Sequence, residues 1–148
     1  MEERFSTFTV LIAKIHRQIR RIKTEEMAEF DLKSPHVSCL YYLYKEKGLT
    51  AKELADICDE DKGAISRSLE HLEACGYLSC ASTAKKRYRA RLCLTTKGLE
   101  IGKRISEKID GVLALVGQDM SDEERATLYR ALGIISRDLQ GICDKYDK

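Results

Sequence analysis

Apolar residues recur at helical intervals along most of the chain, and the places where that rhythm fails mark its joints. Phe5, Phe8, Ile12, Ile15, Ile19 and Ile22 are spaced alternately three and four apart, a stripe of heptad-like period. Lys14, Arg17, Arg20, Arg21 and Lys23 fall on the opposite face, and Val10 and Leu11 widen the apolar one. The stripe predicts a helix that packs on a partner chain as well as on its own core. The period breaks over 23–33, which predicts a loop or a ragged helical continuation. Ser34-Pro35 predicts a helix start, with Ser34 as N-cap and Pro35 at the first helical position, where its missing N–H costs nothing. Val37, Leu40, Tyr41, Leu43 and Tyr44 give that helix its buried side, and Gly48 ends it.

Thr50-Ala51-Lys52-Glu53 has the spacing of a capping box. It opens a short helix with Leu54, Ala55, Ile57 and Cys58 on its apolar face. Asp59-Glu60-Asp61 interrupts that helix, and Asp61 is placed to cap the next one. There Ile65, Leu69 and Leu72 lie at i, i+4 and i+7. Gly63, Arg67, Glu70 and Ala74 turn to the opposite side, with Ser66 beside them and Lys62 leading, and Gly76 closes the helix. Two short helices joined by a tight polar turn predict a helix-turn-helix. A hairpin is predicted next, its first strand at 77–81 and its tip beginning at 82. Tyr88, Ala90, Leu92 and Leu94 alternate with Arg87, Arg89, Arg91 and Cys93, the period of a half-buried strand. Thr95 or Thr96 caps a long helix expected to reach about Met120, with Ile101, Ile105, Ile109, Val112 and Val116 as its stripe; Gly111 and Gly117 can bend it or admit close packing. Ser121 to Glu124 is a second capping box. The last helix carries Leu128, Leu132, Ile135, Leu139 and Ile142, again four and three apart.

This order of elements predicts a mainly α chain of the winged helix-turn-helix type (α+β), with terminal helices as scaffold. The 148 residues suit one domain or one compact module with helical extensions. No window is apolar enough for a membrane span and no apolar run follows a basic start, so a cytoplasmic protein with reduced thiols is expected. A net charge of +2 is too small to argue for nucleic acid by itself, so the placement of charge decides. Five of the seven residues from Lys85 to Arg91 are Lys or Arg. Alone this could be a solvated run that protects a strand edge. Directly after a helix-turn-helix it predicts a wing that grips phosphate, with affinity falling steeply in salt. A recognition helix enters the major groove N-terminus first, so Lys62, Gly63, Ser66 and Arg67 are the candidate contacts. Arg67 suits bidentate reading of guanine, against the plainer alternative of an i, i+3 pair with Glu70. Ser66 and Ser68 can equally be surface polarity, and His71 is read as a packing or surface histidine.

Thr50-x-x-Glu53-Leu54-Ala55, then Ser66-Arg67-x-Leu69-x-x-Leu72-Glu73-x-x-Gly76-Tyr77-Leu78, then Leu94-Thr95-x-Lys97-Gly98 resembles the MarR family of bacterial winged-helix regulators. The resemblance covers about a third of the chain by motif and all of it by helix order. It implies a DNA-binding transcriptional regulator acting as a homodimer by repression or activation at a pseudo-palindromic operator, a ligand-responsive repressor first among these, with a small ligand or thiol oxidation releasing the DNA in many members. The DNA-binding lobe would span 34–98, within a single chain of 1–148, and the helical dimerisation region 3–30 and 99–148. Implied DNA contacts are Thr50, Lys62, Gly63, Ser66, Arg67, Lys85, Lys86, Arg87 and Arg89. Dimer contacts are Phe5, Phe8, Ile12, Leu128, Leu132, Ile135, Leu139 and Ile142. A small anionic or phenolic effector would meet Ile15, Ile19, Leu40, Tyr41 and Tyr44, which are as readily core. Two departures stand out. Ser79-Cys80 occupies the region where the family commonly has an arginine, and Lys86-Arg87 replaces an Asp-Arg pair at the wing, leaving Arg87 without its acidic orienting partner.

Other chemistry has less support. The six cysteines show no C-x-x-C spacing. Cys39, Cys58 and Cys75 read as small core fillers, and Cys80 and Cys93 as cross-strand neighbours in the wing, where a disulfide or an oxidant sensor can form. His16, His36 and His71 are scattered, so no metal and no other cofactor is expected. No nucleophile elbow, P-loop or dinucleotide turn suggests an enzyme. The rival readings are a small-molecule-binding or protein-interaction winged-helix module without operator binding, or a thiol-based redox-sensing regulator.

Overall fold

The computed structural model describes residues 2–79 and 89–148. Two compact units divide the chain, Met1–Ile109 and Asp110–Lys148. The first begins with a helical run: α1 (Glu2–Phe5), a π-helical stretch (Ser6–Leu11) and α2 (Ile12–Glu26). The aperiodic stretch that follows holds a 3-10 turn, Ala28–Phe30, then Asp31 in the left-handed region at φ 58°. This stretch is core: Met27, Phe30 and Leu32 are all buried. They follow one another too closely along a bent path to show a helical or strand period.

Helix α3 (Ser34–Lys45) starts one residue earlier than the Ser-Pro signal suggests. Lys33, in extended conformation, is the N-cap, and its N–H donates to His36 Nδ1 at 3.1 Å. Val37, Leu40 and Leu43 are buried as expected, while Tyr41 and Tyr44 are half-buried. Helix α4 (Ala51–Cys58) has the expected capping box: Thr50 Oγ1 accepts from Glu53 N at 3.2 Å and Thr50 N donates to the Glu53 carboxylate at 2.8 Å. Ile57 stays exposed, so only Leu54 of its apolar face is fully enclosed, with Ala55 and Cys58 at the core's edge. Helix α5 (Lys62–Ala74) is capped by Asp61, whose carboxylate accepts from Ala64 N at 2.7 Å. Ile65, Leu69 and Leu72 are buried against α3 and α4. Ser68 is buried beside them, and so is not surface polarity.

After Gly76, at φ 78°, the chain forms the base of a hairpin. Leu78 bridges Leu94, Ser79 N donates to Cys93 O at 3.1 Å, and Thr95 N to Tyr77 O at 3.0 Å. Thr50 bridges Arg91, and Leu92 N donates to Leu49 O at 2.8 Å. The predicted alternation holds here: Leu92 is buried and Leu94 half-buried, while Arg91 and Cys93 are exposed. It stops at Ala90, which is exposed. Among the described residues the expected strands are reduced to these isolated bridges; Tyr88 and the tip lie outside the described residues, as does Cys80. Cys93 pairs across the hairpin with Ser79.

Helix α6 (Thr96–Leu115) is capped by Thr95, whose hydroxyl accepts from Gly98 N at 3.0 Å and donates to Gly76 O at 2.6 Å. Ile101 and Ile105 enter the core. Lys108 and Arg104 reach Glu29 at 3.0 and 3.6 Å, and Lys108 also donates to Glu26 O at 3.2 Å. The helix stops at Leu115, five residues short of the expected Met120, because Gly117 takes φ 69° and turns the chain. In the second unit, α7 (Asp122–Cys143) opens on the expected box: Ser121 Oγ accepts from Glu124 N at 3.1 Å and the Glu124 carboxylate accepts from Ser121 N at 2.8 Å. None of the described helices is long and apolar enough to cross a membrane.

Candidate nucleic-acid interface

Burial of Ile65, Leu69 and Leu72 fixes which side of α5 faces out. Lys62, Gly63 and Arg67 are exposed there, and Ser66 is half-exposed. A Cβ on Gly63 would sit 3.3 Å from Arg67 Nη1, so the guanidinium lies back over the first turn of the helix. These four residues, expected to act together, share the N-terminal half of one helical face. Thr50 stands apart from them in role. Its hydroxyl is the α4 cap and its backbone bridges Arg91, so it joins α4 to the hairpin base.

Arg89 is exposed but in helical conformation, not in the extended strand that the alternation predicts. Arg91 is different, because its Nη1 donates to Gly48 O at 2.6 Å. The guanidinium therefore latches the hairpin to the turn between α3 and α4, a role the alternating pattern could not separate from its neighbours'. Lys85, Lys86 and Arg87 lie outside the described residues.

The expected effector lining is not one cluster. Leu40 is fully buried in the core, and Tyr44 packs on α6, its Cβ 2.8 Å from where a Cβ on Gly102 would stand. Tyr41 meets Tyr42 edge-on at 5.4 Å, with Lys45 Nζ 5.7 Å from its ring centre. Ile15 and Ile19 are exposed on α2. A cavity of about 340 Å³ does lie in this unit, between α2, the start of α3 and the end of α4. Ile19 is the one expected residue that reaches it; His16, Arg20, Lys23 and Ser38 supply its polar wall, with Cys58 and Glu60 opposite. Lys23 Nζ donates to Ser38 Oγ at 3.0 Å. Its volume is at the lower end of the small-molecule range.

Only one of the three cysteines read as core fillers is fully buried. Cys39 is enclosed, whereas Cys58 and Cys75 sit half-exposed at the core's edge. The Cys39 thiol bonds Cys58, and that bond together with burial pushes its pKa far up. Accepting the same bond holds Cys58 below the ordinary thiol value, against the opposing effect of burial. The scattered histidines are also brought together in part. His36 and His71 stack at 3.9 Å with an interplanar angle of 11°. His71 Nε2 lies 2.7 Å from Asp31 O and 3.6 Å from Cys75 Sγ. Its signal in the sequence is the i, i+4 spacing of His71 and Cys75 on one helix; the third member, Asp31, is far away in the chain.

The terminal stripes are exposed in the chain alone. Phe5, Phe8 and Ile12 are open on the first unit, and Leu128, Leu132, Leu139 and Ile142 on the second, with Ile135 half-buried.

Residues 30–87 match a family model described as the MarR family. No curated protein matches the chain. Among solved structures, the chain is similar to the Staphylococcus aureus MepR–DNA complex, with 21% identity, a TM-score of 0.79, and coverage of 89% of this chain and 97% of that one. It is similar to MarR at 25% identity and a TM-score of 0.69, covering 93% and 94% of the two chains. A MarR family regulator from Neisseria meningitidis superposes at a TM-score of 0.80 with 17% identity, over 96% and 97% of the chains. The matched segment runs from just before α3 into the hairpin, and the chain shares the winged-helix fold of these MarR-family structures.

Proposed function

We propose that this protein is a DNA-binding transcriptional regulator that reads a pseudo-palindromic operator as a homodimer. The observation that carries the reading is the outward face of α5: Lys62, Gly63, Ser66 and Arg67 stand together on the leading half of a helix held from behind by α3 and α4. A helix so presented enters the major groove by its N-terminal turns. Arg67 suits a guanine edge, and Lys62 and Ser66 suit phosphate or base. Arg89 and the basic run at 85–87 would follow the backbone beside it. MepR, similar in fold, was solved with DNA.

The partner in the dimer is a second copy of the chain. Stripes of heptad period at both termini, exposed to water, are the faces such a copy would cover. Recognition helices set by a two-fold axis would lie roughly 34 Å apart, one turn of B-DNA. A response to a small anionic effector is the reading favoured by the cavity, because His16, Arg20 and Lys23 line it against the single carboxylate of Glu60. Capture of genomic fragments by the purified protein, followed by sequencing, tests the function. A recurring inverted repeat that the Arg67→Ala protein fails to enrich supports it. Recovery of DNA without any shared sequence would favour a module that has kept the fold and not the operator.

A further inference from the structure

The back of the proposed recognition helix holds a cluster that DNA reading does not use. Asp31, His71 and Cys75 each offer one donor atom, and these atoms all lie within 4.8 Å of one another. His71 and Cys75 are one turn apart on the same face of α5 and its cap, and Asp31 comes from the turn before α3. Asp31 is in the left-handed conformation, and the peptide before it is fixed by a buried bond from Tyr77 Oη to Phe30 O at 3.0 Å. His36 stacks on the His71 ring and is itself oriented by Lys33 N–H. Three chemically different donors are thus aimed at one point by groups outside the cluster.

We propose that Asp31, His71 and Cys75 form a binding site for a divalent, thiophilic cation of the zinc class. One thiolate, one imidazole and one carboxylate with a fourth position open to water is a zinc donor set. The separation of Cys75 Sγ and His71 Nε2, 3.6 Å, supports it. Sulfur at about 2.3 Å and nitrogen at about 2.05 Å from a tetrahedral zinc stand about 3.6 Å apart. The two charges of the ion are matched by thiolate and carboxylate, so the loaded site is neutral.

Loading the site balances as follows. Cys75 S–H gives its proton to solvent and its sulfur pair forms the metal bond. Where His71 holds its proton on Nε2, donating to Asp31 O, that proton leaves and Nδ1 takes one up, freeing Nε2 to bind with no net change. Burial, then the nearby Asp31 charge, holds the Cys75 thiol pKa above its ordinary value, against Lys97. Lys97 itself stays on the backbone side, its Nζ on Cys75 O at 2.9 Å and 5.1 Å from the Tyr77 ring centre. The bound ion would tie the C-terminal turn of α5 to the turn before α3, whatever that helix reads.

Titration of the reduced, full-length protein with Co²⁺ provides the test, since a cobalt–thiolate bond gives a charge-transfer band that Zn²⁺ displacement abolishes. One equivalent per chain is expected, with the band lost in C75S and kept in C93S and C143S. Zn²⁺ should raise the melting temperature of the wild type and leave that of C75S unchanged. D31N, at an exposed side chain, should bind Co²⁺ at least tenfold more weakly while melting like the wild type without metal. An absent band in the wild type, or one that C75S leaves at full strength, overturns the proposal. The three groups are then only a hydrogen-bonded cluster, or the Cys39–Cys58 pair is the thiol that binds.

Discussion

Three glycines on α6 meet very different surroundings, and alanine at each separates packing from helix propensity. At Gly98 an added Cβ would stand 1.9 Å from Tyr77 O and 2.8 Å from the carbonyl carbon. That peptide cannot simply withdraw. Tyr77 O accepts from Thr95 N, Tyr77 N donates to Leu72 O at 2.9 Å, and the ring is anchored at Phe30. Overpacking of this kind costs about 1–3 kcal/mol or more, and a lost backbone bond costs about 1 kcal/mol further. The helix propensity of alanine returns up to about 1 kcal/mol. Gly98→Ala should therefore lose about 2–3 kcal/mol, a fall in melting temperature of about 5–10 °C for a chain of this size. At Gly102 the Cβ meets the root of Tyr44 at 2.8 and 2.9 Å, which can yield only by moving its own helix, and the net loss should be about 1–2 kcal/mol. At Gly111 nothing lies within 4 Å, so alanine should stabilise by up to about 1 kcal/mol. Urea unfolding followed by circular dichroism, at one fixed protein concentration, ranks the three. If Gly98→Ala were as stable as the wild type, or Gly111→Ala as damaged as Gly98→Ala, the packing of α6 on the hairpin base would be wrong.

Other expectations follow from single contacts. Asp61→Ala removes the cap on Ala64 N and should cost about 1 kcal/mol in the same unfolding assay, with Asp61→Asn losing only part of it. Arg91→Met cuts the bond to Gly48 O and should cost about 1 kcal/mol, while a bystander such as Lys52→Met stays within about 0.5 kcal/mol of the wild type. The His36 pKa is lowered, chiefly by burial, so the unfolded chain takes up that proton more readily. Stability should fall as pH drops below about 6.5, the ordinary histidine value, and His36→Gln should flatten that part of the pH profile. Leu132→Asp places a charge in the exposed stripe of α7 and should shift the wild-type dimer toward monomer in analytical ultracentrifugation; a wild type already monomeric would contradict the proposed assembly.

Periodic segments were legible from sequence because burial on one face imposes a repeat. Ile65, Leu69 and Leu72 set the outer face of α5, and the capping boxes at Thr50 and Ser121 set two helix starts. The core of the aperiodic stretch was not legible, since Met27, Phe30 and Leu32 turn inward along a 3-10 turn and a left-handed residue. The end of α6 depended on whether Gly117 would bend the helix or leave it, which spacing does not decide. In the candidate interface, exposure of Lys62, Gly63 and Arg67 followed from the helical period, but in sequence Arg91 shares the alternation of Arg89, and the structure separates them by backbone conformation and by the contact of Arg91 with Gly48, 43 residues away. His71 illustrates the same limit. Its partners come from 31, 36 and 75, and only the last lies within one helical turn.

The central claim is that the outward turns of α5 read base sequence. Its most direct test is the affinity of wild-type and Arg67→Ala proteins for an enriched operator and for a scrambled duplex, each at several salt concentrations. Loss of one bidentate contact predicts operator binding weakened by about 1–3 kcal/mol, roughly 5- to 150-fold, with little change on the scrambled duplex. Equal operator affinity for the two proteins at every salt concentration, or an equal loss on both duplexes, would contradict it.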